Sequence, residues 1–137
     1  MERSTRQRTA IRDVITAAGR PLSPQEIFDG VRATVPEIGI ATVYRTIKLL
    51  LEAAAIESVT LPGESARFES VQAAHRHHHH FHCTSCDRVF DVDGCPGPMH
   101  NLAPQGFTIE RHELTLYGVC ADCAQARARP GKGKPAR

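Results

Sequence analysis

The chain has 137 residues, enough for one modest core or two small subdomains, and units below about 70 to 80 residues usually need a staple such as a metal or a second copy. No apolar run approaches the roughly 18 residues of a membrane span, and the Arg-rich start "MERSTRQRTAIRD" lacks the apolar core of a secretion signal, so the expectation is a cytoplasmic protein with no membrane partner. The formal net charge of +2 names no partner, because residues 1–73 hold nine Lys/Arg against nine Asp/Glu and residues 74–137 hold eight against six.

Charge is informative only in its distribution. Arg3, Arg6, Arg8 and Arg12 crowd the start, and "QARARPGKGKPAR" at residues 125–137 has the Pro/Gly/Lys composition of a disordered basic tail. From Arg6 to Ala18 the apolar Ala10, Ile11, Val14, Ile15 and Ala18 recur at helical spacing, and Gly19 stops the run. In "LSPQEIFDGVRATVP", Ser23 is an N-cap, Pro24 takes the first helical position and Glu26 completes a capping box. A third helix follows in "ATVYRTIKLLLEAA", with Val43, Ile47, Leu50 and Leu51 on one face and Thr42, Tyr44, Arg45 and Lys48 mostly on the other. Then "IESVTL" and "SARFES" flank the turn "PGE". Three helices and a hairpin predict a winged helix over residues 1–73. The Thr/Tyr/Arg/Lys face suits a recognition helix in a DNA major groove, and equally an ordinary solvated surface; spacing does not separate the two.

Residues 74–124 concentrate the metal-binding side chains. Four of the five cysteines form two pairs, Cys83-x-x-Cys86 and Cys120-x-x-Cys123, with 33 residues between them. Each pair can wrap one side of a tetrahedral ion, so together they predict a closed, structural Zn²⁺ site; a pair of redox dithiols is the competing reading. The intervening "RVFDVDG" and "FTIERHELTLYGVC" read as strands, the latter a long one, and "PGPMHNLAPQG" has room for only a short helix. The result is an α+β chain whose second, small α/β domain needs dimerisation for stability. In "HRHHHHFHCTSC" an extended strand sends His78 and His80 to one side and His77 and His79 to the other, so the tract can feed two sites. The hydrolase and deaminase patterns H-E-x-x-H and H-x-E with P-C-x-x-C do not occur, so no enzyme is expected. A zinc-buffering protein using the His tract as a reservoir is the alternative from another class.

The string "EIGIATVYRTIKLL" resembles the signature of the ferric uptake regulator (Fur) family of metal-dependent repressors, and the likeness runs from "TRQR" near the start to "CADC" at Cys120 to Cys123. The resemblance implies a homodimer that binds palindromic operators in double-stranded DNA. It places Tyr44 and Arg45 at base and backbone contacts and Arg8 near the phosphates or the minor groove. It also implies a regulatory metal held by Glu69, His78, His80 and Asp91, and a second position drawing on His77, His79 and His112, with Cys95 near the place where many members have a glutamate. Iron- and peroxide-responsive members typically carry a histidine where this chain has Pro21. Two histidines and two carboxylates favour Zn²⁺ over Fe²⁺ or Mn²⁺, and a Cys95 thiolate would favour it further. A zinc-responsive repressor is therefore expected, with an iron- or peroxide-responsive member as the alternative.

Overall fold

The computed structural model describes residues 2–74, 79–95, 97 and 99–128. The chain divides into two compact units, Met1–His77 and His78–Arg137, whereas the sequence expectation put the boundary between residues 73 and 74.

The first unit holds α1 (Glu2–Ala18), α2 (Pro24–Val31), α3 (Ile40–Glu52), β1 (Ile56–Val59), β2 (Arg67–Ser70) and a single turn α4 (Val71–Ala74). Helix α1 starts four residues before the expected Arg6. Its first turns have no apolar stripe, and Arg6 ties them down by donating to Glu37 at 3.2 Å and to the Thr34 carbonyl at 3.0 Å. Gly19, at φ +64°, stops the helix in the left-handed region that a side chain would disfavour. Helix α2 has its expected capping box: the Ser23 hydroxyl accepts from the Glu26 N–H at 3.1 Å, and the Glu26 carboxylate accepts from the Ser23 N–H at 3.0 Å.

The core gathers Ile11, Ile15, Ile27, Val31, Val43, Ile47 and Leu50 from the three helices with Ile56 and Phe68 from the hairpin. On α3 the buried stripe is Val43, Thr46, Ile47 and Leu50, and Leu51 is 38% exposed, a correction to the expected face. At about 100° per residue, Leu51 falls on the rim of that stripe while Thr46 falls within it. β1 and β2 pair antiparallel from Ile56↔Ser70 to Val59↔Arg67, and Leu22 adds a bridge to Phe68 through two 2.8 Å backbone bonds. This is the winged-helix arrangement, with Leu22 stitching the hairpin to the segment between α1 and α2.

The second unit comprises β3 (His79–Cys83), β4 (Val89–Val92), a 3-10 turn (His100–Leu102), β5 (Thr115–Gly118) and α5 (Ala121–Ala128). Its sheet has the order β4-β3-β5, with β3 antiparallel to β4 and parallel to β5. The long strand expected from Phe107 shortens to four residues. A strand extends only as far as its neighbour, and β3 offers β5 the pairs His80↔Thr115 to Cys83↔Gly118. Helix α5 runs to Ala128, so the tail expected from residue 125 is helical for its first four residues. The alanine-rich "ADCAQARA" suits a helix, with Asp122 in its first turn and Arg127 in its last to match the dipole. Residues 129–137 lie outside the described residues. Among the described residues of this unit the buried apolar side chains are Cys83, Val89 and Cys120, and an open groove of about 380 Å³ is lined by Phe81, Phe90, Val92 and Val119. No described helix is long and apolar enough to cross a membrane.

Replacing Ser23 with alanine removes one half of the capping box and should lower the stability of the winged-helix unit by about 1 kcal/mol. Urea denaturation followed by circular dichroism measures this as a lower midpoint at unchanged slope.

Candidate metal centres and the exposed helix face

Cys83 closes β3, Cys86 sits three residues on in the turn to β4, Cys120 follows β5 by two residues, and Cys123 lies in the first turn of α5. The β3–β5 pairing thus brings together two cysteine pairs far apart in sequence. Cys83 Sγ and Cys123 Sγ are 3.9 Å apart, and Cys86 Sγ and Cys120 Sγ 3.8 Å. A tetrahedron with Zn–S bonds of about 2.3 Å has edges of about 3.8 Å, so the donor set fits a zinc ion, whereas a disulfide would need about 2.05 Å. Cys83 Sγ accepts from the backbone N–H of Cys86 at 3.4 Å and of Cys120 at 3.3 Å. Burial pushes the Cys83 thiol up, but the N–H donors of Cys86, Cys120 and Ser85 outweigh it and hold the thiol at about 6. Burial likewise opposes ionisation of Cys86, and the Arg88 guanidinium wins, lowering it. The Ser85 hydroxyl draws Cys123 down, but Cys120, burial and the remaining two cysteines push it up to about 11. With no cation, then, the cluster keeps at least one proton.

Arg88 is a participant that the spacing did not reveal. Its Nε donates to Cys86 Sγ at 3.0 Å, and its Nη2 reaches Cys120 Sγ at 3.6 Å and Asp122 at 3.4 Å. The signal in the sequence was a lone arginine two residues after a CxxC, which has no meaning until the second pair is in place.

Of the histidine tract, the described His79 and His80 face opposite sides of β3. His80 pairs with Asp91 across β3 and β4, its Nε2 at 3.4 Å from the carboxylate. His79 faces the other way, toward His112 and Cys95, and the ligand atoms of these three lie within 4.8 Å of one another. Cys95 Sγ is 3.3 Å from His112 Nε2, the His79 and His112 rings are 5.0 Å apart, and the Leu114 N–H donates to His79 Nδ1 at 3.2 Å, orienting that ring. Cys95 is exposed. His77 and His78 lie outside the described residues. Glu69 belongs to the first unit, on β2 opposite Glu57. His82, given no role from the sequence, bonds Asp87 at 2.7 Å, and Asp87 adopts φ +69° in the turn from β3 to β4.

On α3, Tyr44 is 58% exposed, Arg45 and Lys48 are exposed and Thr42 is half-buried. Arg45 Nη2 donates to Thr42 Oγ1 at 3.0 Å. Arg8 is exposed on α1.

The model of the ferric uptake regulator family matches residues 2–117. The chain belongs to that family. It is 32% identical over 126 residues to the transcriptional regulator FurA of Mycobacterium bovis, covering 89% of this chain and 83% of that protein. It is 28% identical over 127 residues to the peroxide operon regulator of Bacillus subtilis, covering 90% and 85%. Among solved structures, a zinc-bound manganese uptake regulator superposes with a TM-score of 0.67 at 26% identity, covering 83% of this Fur-family chain and 87% of that one. Two of these relatives differ in the signal their names carry, peroxide for one and manganese for the other.

Cys83→Ser or Cys120→Ser should each abolish retention of one zinc per chain and unfold the second unit, read by metal analysis and near-ultraviolet circular dichroism. A folded, metal-free variant would remove the four-cysteine centre from the account. Because binding must expel the Cys123 proton, the apparent zinc affinity of the metal-free protein should fall by about tenfold or more for each pH unit between 8 and 6, as a competing chelator would report.

Proposed function

We propose that this Fur-family regulator is a zinc-responsive repressor, a homodimer that binds palindromic DNA when its regulatory sites are loaded. One structural Zn²⁺ in each subunit would be held by Cys83, Cys86, Cys120 and Cys123. The observation that carries the zinc reading is the meeting of His79, Cys95 and His112, since a soft thiolate beside two imidazoles suits Zn²⁺, whereas Mn²⁺ prefers oxygen donors. Pro21 supports it: where iron-responsive members present a histidine, this side chain is fully buried apolar surface. His80 and Asp91 form the nucleus of a first regulatory site, to which the family pattern adds His78 and Glu69, and to the second it adds His77.

The DNA contact falls to α3. Tyr44, Arg45 and Lys48 project from the face opposite the buried stripe, the Thr42 hydroxyl positions the Arg45 guanidinium, and Arg8 adds a phosphate contact from α1. Metal binding would act by raising the population of DNA-competent dimer. The β5 edge, with Leu116 and Tyr117 exposed, fits the need of so small a sheet for a second copy. A cytoplasmic location follows from this role.

Gel-shift titrations against a palindromic, AT-rich operator test the reading, run in parallel with zinc, iron and manganese. Zinc should drive the shift at the lowest free concentration; activation by iron or manganese but not zinc would reverse the metal assignment, and no metal-dependent shift would reject the repressor. His80→Ala should keep the fold and lose the zinc-dependent shift. Arg45→Ala should weaken operator binding by about tenfold or more with unchanged metal content, in keeping with about 1 to 3 kcal/mol for a base-reading arginine.

A further inference from the structure

We propose that the four sulfurs of the Cys83, Cys86, Cys120 and Cys123 centre are chemically unequal, and that Cys123 is the ligand through which a soft electrophile opens it and releases the ion. The inference rests on the zinc reading of that centre.

The inequality is one of hydrogen-bond donors. Cys83 Sγ is buried and takes two backbone N–H groups, from Cys86 and Cys120. Arg88 spans the next two sulfurs, with Nε on Cys86 at 3.0 Å and Nη2 on Cys120 at 3.6 Å. Asp122 steadies that guanidinium at 3.4 Å, and it lies over the Phe90 ring at 5.5 Å from its centroid. Among the described residues, Cys123 Sγ meets the other thiols and the Ser85 hydroxyl, with no N–H donor and no cation. Access does not make the distinction, because Cys86 and Cys123 are both half-buried.

A sulfur that shares its lone pairs with a cationic N–H donor is a weaker nucleophile, and such charge-assisted bonds are about twice as strong as neutral ones. Two of the four ligands are quieted by Arg88 and a third by burial and the backbone. Toward an α,β-unsaturated carbonyl, the Cys123 lone pair that had bound zinc would form the S–C bond at the β-carbon. The displaced π pair moves onto the α-carbon, which takes a proton from water. The product is a neutral thioether, a poor zinc ligand, so the Zn–S bond breaks and a three-sulfur site is left open to chelation. Reactive carbonyl compounds are thus the class of signal that this centre would register, independently of free zinc.

Zinc-loaded full-length protein treated with limiting N-ethylmaleimide tests this, with labelled cysteines mapped by peptide mass and released zinc read by a chromogenic chelator. Cys95, outside the centre, is scored separately. Of the four ligands Cys123 should be labelled first, with zinc released in step. In Arg88→Gln, Cys86 and Cys120 should be labelled alongside it and release should quicken by about tenfold, the scale of one lost charge-assisted hydrogen bond. Arg88→Lys should fall between, since an ammonium cannot span two sulfurs as the guanidinium fork does. If Arg88→Gln does not fold, the labelling order in the unaltered protein decides. Even labelling of the four, Cys86 reacting first, zinc retained after Cys123 is labelled, or a folded Arg88→Gln with unchanged order and rate would each overturn the proposal. Protein that holds no chelator-resistant zinc before treatment would overturn both the proposal and the zinc centre beneath it.

Discussion

The second unit depends on the convergence of four sulfur atoms in place of a hydrophobic core. Among its described residues only Cys83, Val89 and Cys120 are buried apolar side chains, against a cluster of twelve in the first unit. A three-stranded sheet with four- and five-residue strands cannot offset its chain entropy from so little burial. A metal ion held between the end of β3 and the start of α5 would supply what packing does not. Asp87 takes the left-handed region in the turn from β3 to β4, and the parallel pairing of β5 with β3 delivers Cys120 beside Cys83.

That same register sorts the candidate metal-binding side chains. With Cys83 and Gly118 opposite one another, His80 falls beside Thr115 and across from Asp91, while His79 turns to Cys95 and His112. A slip of one residue would exchange the two sets. The pairing that brings the sulfurs together therefore also sets which histidine faces which neighbour. Arg88 belongs to this economy of parts, since one guanidinium joins the two cysteine pairs and Asp122.

The first unit is organised by conventional burial. Its helix boundaries come from local devices, the Ser23–Glu26 capping box and Gly19, and its α3 face is left outward because the stripe through Val43, Ile47 and Leu50 is turned inward. The Leu22 bridge to Phe68 is different in kind: it joins a residue between helices to the hairpin. An isolated bridge has no periodicity or turn chemistry to announce it.

Sequence by itself determined the local and periodic features: the three helices and hairpin, the outward side chains of α3, the two cysteine pairs and the opposite facing of His79 and His80 on β3. Each follows from rules that act within a few residues, namely helical repeat, strand alternation and capping. Tertiary structure alone decided what depends on distant segments meeting: the parallel β3–β5 pairing, the shortness of β5, and the place of Arg88 on the sulfurs. Thr46 displaced Leu51 from the buried face for the same reason, because the width of the buried stripe is set by the helices that cover it. Pairing partners end strands and neighbouring helices define faces, and neither is encoded at the residue that obeys it.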